Sequence, residues 1–340
     1  MLKVIHGFVG LFAVCLVLAG CLNEPGRAAA PSVNKSQGVE ATTNFEDTAS
    51  FEAVKRAAEG GHADAQLNLG KMYANGQGIA KDDAEAVKWW RKAAEQGNAK
   101  AQCGLGMMYR FGLGIAKDDA EAMKWFRLAF EDIKRLAEQG DVEAQVILGS
   151  MYTFGWGVAR DGGEAEKWAR LAFKGTKRAA EQGDVEAQYN LGVYYDLGHG
   201  VAQNKAEATK WIQKAAEQEY AMAQYNLGAM YENGEGVAKN YAEAVKWYKL
   251  AAEQGNDKAQ FGLGRMYENG YGVTKNGAEA VKWYKLAAEQ GLADAQFDLA
   301  SMYFHGRGVA KDEAEAKKWF QKAADQGHQK AQDAVRALSR

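Results

Sequence analysis

Proline is almost absent from this 340-residue chain: Pro25 and Pro31 are the only two, and both precede residue 50. Everything after them lacks the residue that most reliably breaks a helix. Cysteine is scarce as well, with three in all, and the formal net charge is only −2. So balanced a charge leaves no electrostatic footprint for nucleic acid or an anionic lipid surface. Catalytic signatures are missing too: there is no HExxH, no GxSxG and no GxxxxGK followed by Ser or Thr. His62, His199, His305 and His328 are scattered along the chain, none paired with another at metal-ligand spacing. From these absences we expect a chain with no catalytic set, no metal site and no cofactor.

The N-terminal segment is written differently. Lys3 precedes an apolar run from Val4 to Leu18, shorter than the ~20 residues a helix needs to cross a bilayer but suited to a secretory signal. The run ends Leu18-Ala19-Gly20-Cys21. This resembles the lipobox of bacterial lipoproteins, which implies a signal peptide over residues 1–20 and a lipidated Cys21. Two or three acyl chains, at ~0.8 kcal/mol per buried CH₂, would make the membrane anchor practically permanent. Leu22 stands where aspartate would signal inner-membrane retention, so the outer membrane and a periplasm-facing chain are implied. Cys15 would leave with the signal, and Cys103 then has no intramolecular disulfide partner. Residues 21–50 show no periodicity and read as a disordered tether, with residues 51–340 as the folded part.

From residue 65 the chain repeats itself. Ala-Gln pairs begin at Ala65, Ala101, Ala144, Ala187, Ala223, Ala259, Ala295 and Ala331, at spacings of 36 or 43 residues, the mark of a solenoid. Each unit predicts two helices. Helix A carries AQxxLGxMY, with Ala65, Leu69, Met72 and Tyr73 on one face in the first repeat. Gly70 lies in mid-helix, where glycine costs ~1 kcal/mol; Ala300 replaces it in the seventh repeat, so the requirement is for smallness. Helix B opens with an Asp or Asn such as Asp82 and carries Glu three residues on, as at Glu85, a relative of the capping box. These recurrent carboxylates belong to helix caps and not to catalytic pairs.

The stretch AQYNLGAMYENGEGVAKNYAEAVKWYKLAAEQG, residues 223–255, resembles the Sel1-like repeat, a cousin of the tetratricopeptide repeat. The resemblance covers residues 51–340. It implies an all-α fold, an α-α superhelix (solenoid) of seven helix-turn-helix repeats with a half-repeat cap at each end, and a protein that presents an extended surface to a protein partner. It further implies envelope roles: an assembly scaffold or an inhibitor, including immunity proteins against secreted phospholipase effectors, with polysaccharide export or host interaction as alternatives. A cell-wall or β-lactam hydrolase is the distant alternative, because the disulfide-linked cysteine pairs of the relatives credited with such activity are absent here.

The repeats differ at two slots of the turn between helices. Apolar residues gather there in repeats two to four, as Phe111, Leu113, Phe154, Trp156 and Leu197, with His199 beside them. Repeats two and three also carry seven extra residues within helix B, nearly two turns, which preserves the helical stripe to within ~20°. In the longer helices Leu128, Ile133 and Leu136 could cover the aromatic turns, and Gly175 with Thr176 suggests a bend. Two readings stay open: the six residues form an exposed partner-binding patch anchored by Trp156, or the long helices roof them into a satellite core. Cys103 is expected to be a small buried hydrophobe. At the end of repeat four, Glu219 and Tyr220 replace the usual Gly and Asn/Asp, predicting a strained or lengthened helix end.

Overall fold

A computed structural model describes residues 45–76, 78, 79 and 81–338, with side chains from Phe51 onward. The signal segment, Cys15, Cys21, nearly all of the tether and Gln77 lie outside the described residues. Those described form helices joined by short turns. First comes α1 (Phe45–Glu59), whose opening turn falls within the stretch assigned to the tether. Seven A/B pairs follow: α2 (Ala63–Asn75) with α3 (Asp83–Glu95), α4 (Ala99–Phe111) with α5 (Asp119–Glu138), and α6 (Val142–Phe154) with α7 (Gly162–Glu181). Next are α8 (Val185–Leu197) with α9 (Lys205–Glu217), α10 (Ala221–Asn233) with α11 (Tyr241–Glu253), α12 (Asp257–Asn269) with α13 (Gly277–Glu289), and α14 (Ala293–His305) with α15 (Glu313–Asp325). The last helix, α16 (Gln329–Leu338), stands alone.

The chain divides into two compact units. One runs to Ala179 and includes Leu197–Ala202; the other takes Ala180–Asp196 and everything from Gln203 on. Each is a stack of consecutive helix pairs, the all-α solenoid packing expected from the repeats.

Local chemistry sets the hairpins. Asp82 accepts hydrogen bonds from the Ala84 and Glu85 amides, and Asp118, Asn240, Asn276 and Asp312 cap their helices in the same way. Glu85 does not complete a capping box; it turns outward to Lys88. The Asp82 amide donates instead to the carbonyl of Tyr73, the tyrosine of helix A, at 2.9 Å. The equivalent bond recurs at Asp118, Asp161, Asn204, Asn240, Asn276 and Asp312, so the cap also locks helix B to its own helix A. Gly70 confirms the need for smallness: a Cβ there would run into the Trp90 indole.

The Gln of each Ala-Gln pair does work that the periodicity did not reveal. Gln102, 4% exposed, donates Nε2 to the carbonyl of Ala94, at the end of the preceding helix B. Gln145, Gln188, Gln224, Gln260 and Gln296 repeat the bond eight residues back. The register between the foot of one helix B and the start of the next helix A is therefore the same in long and short repeats.

At the other end of helix B the register is set, from repeat two onward, by the second glycine of the turn, which lies directly on the preceding helix B. Gly114 lies on Asp83, Gly236 on Lys205 and Gly272 on Tyr241, in each case the first helical residue. Behind the twenty-residue α5 and α7 the seat moves. A Cβ at Gly157 would lie 2.6 Å from the Phe126 carbonyl carbon, and one at Gly200 would lie 2.5 Å from the Ala169 oxygen. Seven residues at 1.5 Å each lower the next turn by about 10 Å. Helix α7 runs unbroken through Gly175 and Thr176; Gly175 supplies room, since a Cβ there would collide with Val142.

The irregular end of repeat four is strained as expected. Glu219 is the non-glycine residue with positive φ (+67°) among those described, at a position held elsewhere by glycines such as Gly97 and Gly255. Glu219→Gly should raise the unfolding free energy in urea by about 1 kcal/mol or less. A drop in stability would contradict the strain.

Candidate protein-binding surface

Three of the six predicted residues come together. Trp156 stacks on Phe154 at 4.9 Å between ring centres and meets Phe111 edge-on at 6.5 Å. A fourth ring, Phe126 of α5, lies parallel to Trp156 at 5.0 Å and 6°. The lowered seat of the turn is what brings Trp156 onto Phe126. Trp156 is 9% exposed and belongs to the core of its unit with Cys103, Phe126, Ile133 and Met151. The roof over this turn is thus the long helix, with Phe126 and Ile133 facing in, Leu136 partly buried and Leu128 58% exposed. Beneath the indole, a cavity of about 10 Å³ between Cys103, Met107 and Phe126 has room for one water at most.

The other predicted residues are placed differently. Phe111 keeps 40% of its surface exposed and Leu197 36%. Phe154 is half-buried against the Trp156 core, whereas Leu113 packs into a neighbouring cluster around Trp90 and Leu105. His199 is half-buried, and burial pulls its imidazole below the ordinary value, with Glu166 opposing. Cys103 is a 2% exposed core residue whose thiol is pushed up by burial.

Tyr271 was not singled out by sequence reasoning. It fills the same slot as Trp156 in a repeat of ordinary register, is 41% exposed, and stacks on Tyr241 at 5.0 Å and 12°. Lys239 lies 4.5 Å over the Tyr241 ring. The signal was present: Tyr241 is the first residue of the helix B on which that turn sits.

Buried charge forms a second layer of the surface. Glu143, with a side chain 2% exposed, pairs with Lys71 at 2.7 Å and with Lys100 at 2.9 Å. Burial alone would pull the Lys100 ammonium down; Glu143 and Asp141 outweigh it and hold it above its ordinary value. In the other unit, Glu232 accepts from Tyr248 and Arg265, and Glu268 from Tyr284 and Arg307. Two carboxyls lack such bonds, although the charges of Arg265 and Arg307 partly offset the shift at Asp298. Burial pushes Glu186 up to about 7, and burial with the charges of Glu268 and Asp294 pushes Asp298 up to about 6.

These arrangements define a class: a repeat protein of stacked helical hairpins that offers aromatic and charged surface. The Sel1 repeat family matches residues 63–98, 99–132, 142–175, 185–220, 221–256, 257–292 and 293–328, and the chain belongs to that family. It is 38% identical to c5321, a protective antigen of uropathogenic Escherichia coli strains, over 85% of this chain and 59% of that one, with a TM-score of 0.49. The chain thus spans less than two thirds of that relative's length. It is 36% identical to a Sel1 repeat protein of Oxalobacter formigenes over 85% of this chain and 80% of that one, with a TM-score of 0.52. The immunity protein Pa5087 of Pseudomonas aeruginosa is 23% identical over 72% of this chain and 83% of that one, with a TM-score of 0.42. No curated protein matches. Sel1-repeat proteins serve generally as protein-binding scaffolds.

Two measurements check this surface. Trp156→Ala should lower the unfolding free energy by about 3–5 kcal/mol, as for a large side chain removed from a core; a loss below about 1 kcal/mol would return Trp156 to the surface. Glu186 and Asp298 stay protonated in the folded chain where the unfolded chain, with ordinary values of 4.5 and 3.8, has already released its protons. Stability should therefore fall as pH rises from about 4 to 7. The double variant Glu186→Gln, Asp298→Asn should flatten that slope in thermal melts, and an unaltered slope would contradict the assignment.

Proposed function

We propose that this chain is an envelope lipoprotein, anchored to the outer membrane through Cys21 and facing the periplasm, whose Sel1-repeat stack binds another protein as a scaffold or inhibitor. Neutralising a secreted phospholipase effector is the specific inhibitory form; polysaccharide export and host interaction are the other settings. The observation that carries the reading is the exposed Phe111 ring backed by the rigid stack of Phe126, Trp156 and Phe154. An aromatic side chain held in place by a packed core gives up little conformational freedom on binding, which is what an interface anchor needs. Leu197 and Tyr271 offer further exposed apolar surface, each in its own unit. The lipid anchor rests on the Leu18-Ala19-Gly20-Cys21 motif.

A photo-crosslinking amino acid at position 111 in living cells should give one discrete protein adduct, and the same probe at the exposed Glu95 should give none. Cys21→Ser should release the chain into the soluble fraction with the adduct site intact. No adduct at 111 would overturn the binding surface; a Cys21→Ser chain that stays membrane-bound would overturn the anchor. Suppression of a co-expressed phospholipase effector's toxicity would select the immunity form.

A further inference from the structure

One slot of helix B, three residues beyond its tryptophan, reads Lys92, Leu128, Leu171, Lys214, Leu250, Leu286 and Lys322 through the seven repeats. Where lysine stands there, its Nζ lies over the tryptophan ring, as Lys214 does over Trp211 at 4.0 Å and Lys322 over Trp319 at 4.2 Å. The leucines stay in solvent: Leu250 and Leu286 are each 38% exposed. A single exposed leucine is ordinary. These two, however, occupy one slot on neighbouring helices, α11 and α13, that run side by side in the same direction. Trp283 of α13 shares a core with Val245 and Tyr248 of α11. The turn before α13 seats Gly272 on Tyr241, the first residue of α11, and Gln290 at the far end donates to the Gly255 carbonyl at 3.0 Å. The leucines therefore form one apolar strip across two helices, with lysine in the same slot of the flanking repeats.

Charge follows a fixed order along both helices. Lys246 stands one turn before Leu250 and Glu253 one turn after it, and Lys282 and Glu289 repeat the order around Leu286. All four are exposed. Glu253 and Glu289 reach Lys249 and Lys285 at 3.9 Å, and Lys282 reaches Glu279 at 3.8 Å, loose surface pairs that hold little. A face with cations at one end, leucine in the middle and anions at the other is self-complementary. Two kinds of two-fold axis could lay a second copy on it. An axis along the helices would set lysine against lysine. An axis across them sets Lys246 against Glu253 of the second copy, Lys282 against its Glu289, and each leucine against its own counterpart. Charge thus selects the antiparallel arrangement. The leucines of the other unit lack this symmetry, since Leu171 has Lys167 before it and Lys174 after it.

We propose that Leu250 and Leu286 are the centre of a two-fold contact between two copies of this chain, with α11 and α13 antiparallel to their counterparts. The contact goes beyond the protein-binding reading and stands without it. Such an isologous contact closes on one second copy, and Lys214 and Lys322 limit its width. An anionic lipid surface is the poorer occupant, because Glu253 and Glu289 would face it and the net charge is −2.

The test is disulfide trapping in the full chain, since Leu250 meets its own counterpart. Leu250→Cys, oxidised in cells with copper phenanthroline, should give a dimer on a non-reducing gel. Lys92→Cys, in the same slot of repeat one, should give none. Cys103 is 2% exposed and does not compete. Added to Leu250→Cys, Leu286→Lys supplies the residue that repeats one, four and seven carry, so the chain should fold while the dimer falls several-fold. Lys246→Glu should lower the dimer likewise, and Glu253→Lys added to it should restore the dimer by reversing both charges. Absence of the Leu250→Cys dimer, an equal dimer from Lys92→Cys, or no rescue by the reversed pair would each overturn the contact. Flotation with phosphatidylglycerol vesicles that Leu286→Lys abolishes, without a disulfide dimer, would overturn it in favour of lipid.

Discussion

The constraint on which the rest depends is the contact, from repeat two onward, between the second glycine of the turn and the backbone of the preceding helix B. The approach is so close that no side chain fits between them, so the turn can move only as a unit along the helix. The buried glutamine at the foot of each repeat holds the other end, by a bond to the carbonyl eight residues earlier. With the foot fixed, any change in the length of helix B must appear as a change in where the next turn sits. Seven added residues displace it by about two turns, which nearly restores the helical phase. The stack accepts the longer repeats without losing its side-chain stripe.

That displacement decides the fate of whatever side chain stands between the two glycines. In ordinary register the residue lies over the first residue of helix B, at the rim, as Tyr271 lies over Tyr241. Behind α5 the same slot is carried onto Phe126, and Trp156 becomes part of the core. Phe111 stays exposed in a turn of ordinary register, with Gly114 seated on Asp83. One aromatic cluster therefore has a buried foundation, Trp156 on Phe126, and an accessible edge at Phe111.

The charged side chains follow a similar logic of equivalent slots with unequal neighbours. Glu143 and Glu186 have the same place in the repeat, yet one receives two lysines and the other has a buried oxygen without a partner. Removing a carboxylate from water costs several kcal/mol unless a cation or donors replace the hydration. Glu143 has that replacement within the chain. Glu186 does not, which is why its carboxyl sits high.

Much of this protein was legible in its residues because a repeat writes its own alignment. The Ala-Gln spacing, the Asp or Asn caps and the small residue at Gly70 each impose local requirements, and comparing seven copies exposes them; the helices, the hairpins and the strain at Glu219 followed. Local rules could not say that the Glu85 side chain would turn to Lys88 and leave the cap amide to Tyr73, since that bond needs helix A alongside. Nor could they choose between an open and a roofed aromatic turn. Both readings used the same residues, and the choice rests on which residue of α5 the Gly157 turn meets. The sequence by itself determined the elements, their order and their small-residue contacts, because these depend on neighbours within a turn or a repeat. Only the tertiary structure decided that Trp156 is core, that Phe111 is surface and that Glu186 lacks a cation, because those depend on the axial register between repeats, which the close approach of two backbones sets.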